Sequence, residues 1–173
     1  RTALSVNDPL GGQNLAAIDA DAALRWLSKY RPNKPARIAI VDTGVAAGHE
    51  ELKTIMYPRA NADDRDGHGT ACAGIAAAVT ENRKGIPSFN VGGRYLQVQS
   101  FPALATGAGE ADDVANAIWD AVESGAAVIN LSFGAKGTAP KVVARAVQAA
   151  VERDVIVVAA AGNYGQAARG QWP

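Results

Sequence analysis

Cysteine is almost missing from this chain. Its 173 residues include only Cys72, and a single thiol forms no internal disulfide. An excess of charge is missing too, since 17 basic residues balance 17 acidic ones. That neutrality gives no electrostatic case for nucleic acid or an anionic membrane surface. No apolar run is long enough to span a bilayer. No Gly-x-Gly-x-x-Gly follows the first predicted strand and no Walker-type Gly-Lys-Ser/Thr occurs, which disfavours a nucleotide-binding α/β domain. Gly-x-Ser-x-Gly and Gly-Thr-Ser are also absent. The chain has no internal repeat, linker or low-complexity segment.

What remains suits one globular domain. The length fits a single unit, and hydrophobic residues, mostly Ala and Val, make up 48% of it, enough for a core. A turn-rich opening, Asn7-Asp8-Pro9-Leu10-Gly11-Gly12-Gln13, leads to a predicted helix over Ile18–Lys29, with Ile18, Ala22, Leu24 and Leu27 near helical spacing. Arg31-Pro32-Asn33-Lys34-Pro35 breaks it. Predicted strands then run to Asp42, from Arg94 to Phe101, from Ala126 to Leu131 and from Val155 to Ala161. Predicted helices cover Glu110–Ser124 and Ala139–Arg153, the latter with Pro140 in its first turn. Strand and helix alternate, so a parallel sheet with helices on both faces is expected. Residues 46–66 are polar with little periodicity, and Asp63-Asp64-Arg65-Asp66 reads as a solvated loop.

Three stretches carry chemistry. In Asp66-Gly67-His68-Gly69-Thr70, a histidine stands between two glycines ahead of a small-residue helix through Ala71-Cys72-Ala73-Gly74-Ile75-Ala76-Ala77-Ala78. The glycines permit a sharp turn and close approach of another chain, Thr70 is a candidate cap for that helix, and an imidazole at its mouth suits proton transfer. The second stretch, Ile38-Ala39-Ile40-Val41-Asp42-Thr43-Gly44-Val45, is an apolar strand ending in an acid. The third, Val155 to Asn163, reads as another buried strand, ending in Gly162-Asn163. In parallel sheets catalytic groups gather at the carboxyl ends of strands, where both Asp42 and Asn163 fall.

Together these stretches resemble the subtilisin-like serine proteases, or subtilases. Val41-Asp42-Thr43-Gly44-Val45 is similar to that family's aspartate motif, Asp66-Gly67-His68-Gly69-Thr70 with Ala73-Gly74 to its histidine motif, and Ala160-Ala161-Gly162-Asn163 to its oxyanion motif. His49-Glu50-Glu51-Leu52 is similar to the family's His-Pro-Asp-Leu, with Glu50 in place of proline and Glu51 in place of aspartate. The order, Asp before His, is the family's order. The resemblance runs from about Asn7 to the end.

The resemblance implies a subtilisin-like three-layer α/β sandwich, incomplete here, with residues 1–173 as the N-terminal part of one catalytic domain. It implies a serine endopeptidase acting on proteins or peptides, with His68 as base, Asp42 orienting it and Asn163 donating to the oxyanion. Ser132, Phe133, Gly134, Ala159, Ala160 and Gly162 would line the substrate cleft. The family's Gly-Thr-Ser motif is expected beyond Pro173, in the C-terminal remainder of the domain, without which the chain is expected to be unstable or sticky. The alternative is a catalytically inactive, subtilase-like module that binds peptides or partners. The resemblance also implies secretion and removal of a leading signal and pro-segment.

Three further points stay open on sequence. Cys72, four residues after His68, reads as a small core residue, a reactive thiol or a metal ligand with His68 and His49. The core reading is preferred because cysteine is among the most buried residue types. No cofactor is required for the chemistry. In the family a structural calcium often binds near the lead-in, where Gln13 and Glu51 could serve, but calcium takes six to eight oxygens and Arg83 and Lys84 in Glu81-Asn82-Arg83-Lys84-Gly85 argue against it. Thr106-Gly107-Ala108-Gly109-Glu110 resembles the family's substrate-flanking Gly-rich segment, and reads equally as a plain strand-to-helix connection.

Overall fold

A computed structural model describes residues 7–10, 12–57, 63–105, 107–163, 165 and 171–172. At its centre is a parallel sheet of four strands. These are β1 (Ala36–Asp42), β4 (Leu96–Pro102), β5 (Val128–Leu131) and β7 (Ile156–Ala159), in the order β4-β1-β5-β7. Helices α3 (His68–Ala77), α4 (Ala111–Glu123) and α5 (Lys141–Glu152) connect and cover it. Shorter elements are α1 (Gly12–Ala17), α2 (Asp21–Lys29) and the paired strands β2 (Val79–Thr80) with β3 (Asn90–Val91) and β6 (Ala135–Lys136) with β8 (Gln171–Trp172).

The central strand explains the layering. Side chains alternate across a strand, and in β1 both faces are apolar. Ala39 and Val41 join a buried cluster with Val114, Ile118, Val143 and Ala146 of α4 and α5. Ile38 and Ile40 join another with Ala73 and Ala77 of α3. A strand covered on both sides reads as an unbroken hydrophobic run, which is the reading Ile38–Val41 invites. The fold is the α/β sheet with helices on both faces expected from the sequence.

Several details differ from expectation. The first predicted helix is split. Asp19 sits in the left-handed region at φ 50°, Ala20 N–H bonds to Leu15 O, and α2 starts only at Asp21. Ile18 therefore lies on an exposed turn, while Leu24 is buried. Residues 46–56 are more than polar loop. Leu52 and Ile55 are buried in the α3-side cluster, and Met56 bridges in parallel to Val98 of β4. Pro140 precedes α5 as its cap residue rather than lying within the first turn.

The last strand is the main correction. The run from Val155 was expected to be a buried strand. Instead Ile156 is 62% and Val158 49% exposed. β7 pairs only with β5 among the described residues. Its Val157 packs on the α4 and α5 cluster, and among the described residues no helix lies over the opposite face. Among the described residues no helix is long and apolar enough to cross a membrane.

Candidate active site

β1 ends in Asp42, which is fully buried. Its Oδ1 accepts the Thr43 N–H at 2.7 Å and lies 2.7 Å from Nδ1 of His68. Its Oδ2 is buried and has no hydrogen-bond partner among the described residues. Its carbonyl accepts the N–H groups of Ala103 and Leu104 at 2.8 and 3.1 Å, pinning the strand end to the chain leaving β4. His68 is the first residue of α3, and its side chain is 49% exposed, against 0% for Asp42. One partner is locked away and the other faces solvent, as an orienting acid and a working base would be.

Glycine makes this contact sterically feasible. A Cβ at Gly69 would sit 2.1 Å from the Gly44 carbonyl oxygen and 3.0 Å from Cβ of Asp42, so the two backbones cross where only hydrogen fits. Gly67 caps the helix with φ at 93°, a conformation glycine adopts without penalty.

Helix α3 begins at His68, two residues before the expected cap Thr70, because side chains ahead of it satisfy its first N–H donors: Asp66 Oδ1 accepts the His68 N–H at 3.3 Å and Thr43 Oγ1 the Gly69 N–H at 3.0 Å. Asp64, placed on sequence in a solvated loop, is the third. Its Oδ1 accepts Gly67 N–H and its Oδ2 accepts Thr70 N–H, both at 2.9 Å. Thr70 Oγ1 also donates to Oδ2 at 2.6 Å and accepts Ala46 N–H at 2.9 Å. Burial acts to raise the Asp64 pKa, but the hydrogen bonds from Thr70, Gly67 and Thr43 outweigh it and bring the group down to about 2. The His68 pKa is raised, chiefly by its hydrogen bond to Asp42. Burial opposes this, and the charges of Asp42, Asp66 and Asp64 add to it.

Cys72 is only half-buried, which corrects the preferred reading of it as a core residue. Its sulfur lies 3.9 and 4.0 Å from the two ring nitrogens of His68. Burial raises its thiol pKa, and a hydrogen bond with Ser132 partly offsets that. The ligand-capable atoms of Asp42, His68 and Cys72 all fall within 4.8 Å of one another. His49 is not in that group, and its Nδ1 accepts the N–H of Glu51 in its own turn.

The remaining predicted site residues lie along the same sheet edge. Val41, Leu131 and Ala159 form one row across β1, β5 and β7, so Asp42, Ser132 and Ala160 are the next residues outward on each strand. Ala160 N–H bonds to Leu131 O at 3.0 Å, holding the two segments side by side. Ser132 accepts from Asn130 Nδ2 at 2.7 Å. Phe133 is half-buried, while Gly134, Ala159, Ala160, Gly162 and Asn163 are exposed. β1 and β7 are separated by β5, which sets their tips about 10 Å apart. A cavity of about 810 Å³ opens beside the site between the end of β4, α4 and the 63–66 loop. It touches Thr43 and Asp66 but neither Asp42 nor His68. Ala105 and Ala108 form an antiparallel bridge, so the Gly-rich segment folds back on itself. Its Thr106 lies outside the described residues.

A family model described as the subtilase family matches residues 33–173. The chain belongs to the subtilase family. Thermitase of Thermoactinomyces vulgaris is similar to it at 42% identity over 141 residues, covering 77% of this chain and 49% of thermitase. The thermophilic serine proteinase of Bacillus sp. strain AK1 is 42% identical over 135 residues, covering 74% of this chain and 33% of that protein. This subtilase chain thus spans half or less of the length of these curated relatives. A solved structure titled as proteases from Pseudoalteromonas arctica PAMC 21717 superposes with a TM-score of 0.78 at 24% identity, over 98% of this chain and 62% of the other, a likeness of fold.

A second cluster of this subtilase chain joins Glu51, weighed on sequence as a calcium ligand, to Asp8 and Asn82, which sequence reasoning did not single out. Asp8 and Glu51 are buried, at 5% and 3% exposure. Asp8 accepts the N–H groups of Glu81 and Asn82, and Glu51 Oε2 accepts Asn82 Nδ2 at 3.2 Å. Glu51 Oε1 is buried without a partner, and a Cβ at Gly85 would come within 2.7 Å of it. Glu51, in the stretch read on sequence as polar with little periodicity, is therefore a buried carboxylate. Lys84 pairs with Glu50 at 3.6 Å, which weakens the argument from cations. The Gln13 side chain lies outside what the structure describes. The signal was in the Asn7-Asp8 lead-in, but its partners lie 73 and 74 residues away.

Proposed function

We propose that this chain is the first part of a serine endopeptidase domain that cuts protein or peptide substrates. It would supply the base and the acid that orients it, with the serine carried by the C-terminal remainder beyond Pro173. The observation that carries this reading is the 2.7 Å contact between buried Asp42 and half-exposed His68. A carboxylate on Nδ1 keeps that nitrogen protonated and leaves the lone pair on Nε2. Nε2 would take the proton of an incoming serine hydroxyl and return it to the leaving amine, while Asp42 stabilises the imidazolium in between. Asn163 would donate its side-chain amide to the oxyanion. Ser132–Gly134 and Ala159–Gly162 would wall the cleft on either side of the residue before the cut. The relatives' names are those of proteases, which supports the reading. We also place the site outside the cytoplasm, on the family resemblance.

A fluorophosphonate probe applied to the intact gene product tests the reading. Labelling of the polypeptide that carries the serine is expected, and its suppression by His68→Ala. No labelling, together with an open reading frame lacking Gly-Thr-Ser after Pro173, would favour the inactive binding module instead.

The second cluster fits a structural calcium. Asp8 and Glu51 carry hard carboxylate oxygens, Asn82 an amide oxygen that now accepts the Lys84 N–H, and among the described residues Oε1 of Glu51 is an acceptor without a donor. These residues would hold the ion and clamp the 81–85 loop to the lead-in, with backbone carbonyls or water completing the shell. Calcium is expected to raise the Tm of the intact protein, and Glu51→Gln to remove most of that rise in thermal unfolding with and without chelator.

A further inference from the structure

We infer that Asp64 is a positioning residue that sets the separation of Asp42 and His68 by tying the loop after β1 to the first turn of α3. The inference rests on the peptidase reading for its effect on turnover, and on geometry alone for the tie.

Asp64 reaches both sides of the site. On the β1 side, Thr43 directly follows Asp42, and its hydroxyl donates to Asp64 Oδ1 at 2.9 Å. On the helix side, Gly67 directly precedes His68 and Thr70 follows it by two residues. They give the other three donors, Gly67 N–H to Oδ1 and the Thr70 N–H and hydroxyl to Oδ2. Each carboxylate oxygen thus accepts two hydrogen bonds. Two cross-stitches complete the junction. Gly69 N–H donates to Thr43 Oγ1 at 3.0 Å, and Ala46 N–H to Thr70 Oγ1 at 2.9 Å. The acid and the base are themselves joined by one bond, and Asp42 is buried too deeply to adjust. The placement of His68 is therefore set by what holds the start of α3. Asp66 Oδ1 accepts the His68 N–H at 3.3 Å within that same turn, and Asp64 is the side chain that ties the turn to the loop after β1. A carboxylate is required because an amide oxygen accepts at one atom only. With asparagine at this position, two of the four donors are stranded whichever way the amide turns.

The test compares Asp64→Asn and Thr43→Val in the intact gene product, read by NMR of the His68 ring and by peptidase kinetics. Asp64→Asn is expected to lower the His68 pKa, to broaden or shift its Nδ1 proton resonance, and to cut kcat about 10- to 100-fold with KM within about twofold, as misplacement of a catalytic group does. Thr43→Val changes no charge, so a lowered His68 pKa in that variant reports loosened geometry rather than a lost field. If Asp64→Asn fails to fold, Thr43→Val decides alone. A lower Tm with an unchanged His68 resonance, pKa and kcat in the folded variants would overturn the inference and leave Asp64 a helix cap. If the intact protein shows no peptidase activity at all, the functional reading falls. The His68 resonances still judge the tie, a shift upholding it and no shift ending it.

Discussion

Two ends of the same sheet contrast sharply. Around the tip of β1 the polar groups that bear on His68 are tied down: Thr43, Asp64, Gly67, Gly69 and Thr70 share one hydrogen-bonded junction. Along β7, two strands away, Ile156 and Val158 are exposed, with no helix over them among the described residues. The first region is finished and the second is open. The Asp42–His68 contact can therefore be organised locally, by a strand end and a helix start, while the outward face of β7 stays uncovered. It also explains why the contact between acid and base forms in a chain that spans only 49% of a relative such as thermitase.

The largest effect should come from breaking the finished side. Asp42→Asn in the intact protein is expected to lower kcat about 10⁴-fold, the loss seen when the corresponding acid of a triad becomes an amide and the imidazole takes the wrong tautomer. Steady-state kinetics on a peptide substrate would measure it, and a loss below tenfold would contradict the assigned role. Asn163→Ala, on the open side, should cost about 10²- to 10³-fold in kcat, a magnitude taken from the oxyanion asparagine of a subtilisin, a member of this family. An unchanged kcat would remove Asn163 from the site.

The next effect concerns stability. If the proposed C-terminal remainder packs on this face, Ile156→Asp and Val158→Asp should each destabilise the intact protein by about 2 kcal/mol or more, because a charge would replace covered apolar surface. In the isolated 1–173 chain the same changes should leave the melting temperature unmoved and improve solubility. Equal effects in both would mean that this face stays open in the whole protein.

The smallest effect is a pH dependence with two signs. Asp64 has its pKa lowered from 3.8 to about 2, so its stabilisation is fully present above pH 3.8 and is lost as pH falls through about 2. His68 has its pKa raised above 6.5, so its stabilisation is present below 6.5 and fades as pH rises through the raised value. Melting curves of wild type and Asp64→Asn should converge near pH 2, and those of wild type and His68→Gln at alkaline pH. Convergence in the opposite directions would reverse both assignments.

The finished region was the more legible of the two, though unevenly. Asp42 and His68 could be read from short motifs because a strand end and a glycine-flanked histidine leave local marks. Asp64 could not, since Asp63-Asp64-Arg65-Asp66 has the composition of a solvated loop and nothing local says which carboxylate turns inward. Glu51 and Asp8 were misjudged or missed for a related reason: their donors come from a loop distant in sequence. Alternation correctly gave the layers around β1, because both its faces were apolar. The same apolar content in β7 misled, because hydrophobicity reports a preference for cover and not whether the cover is in place. Cys72 was misplaced by a general tendency to burial that the mouth of α3 overrode.

The crossing of Gly69 over Gly44 has a consequence for how such a domain can diversify. With 2.1 Å between a hypothetical methyl carbon and the opposing carbonyl oxygen, even the smallest side chain would act as a wedge prising the two catalytic partners apart. On the proposed reading, new tastes in substrate would then come from the walls at Ser132–Gly134 and Ala159–Gly162, while the hinge-pin beneath them admits no experiment.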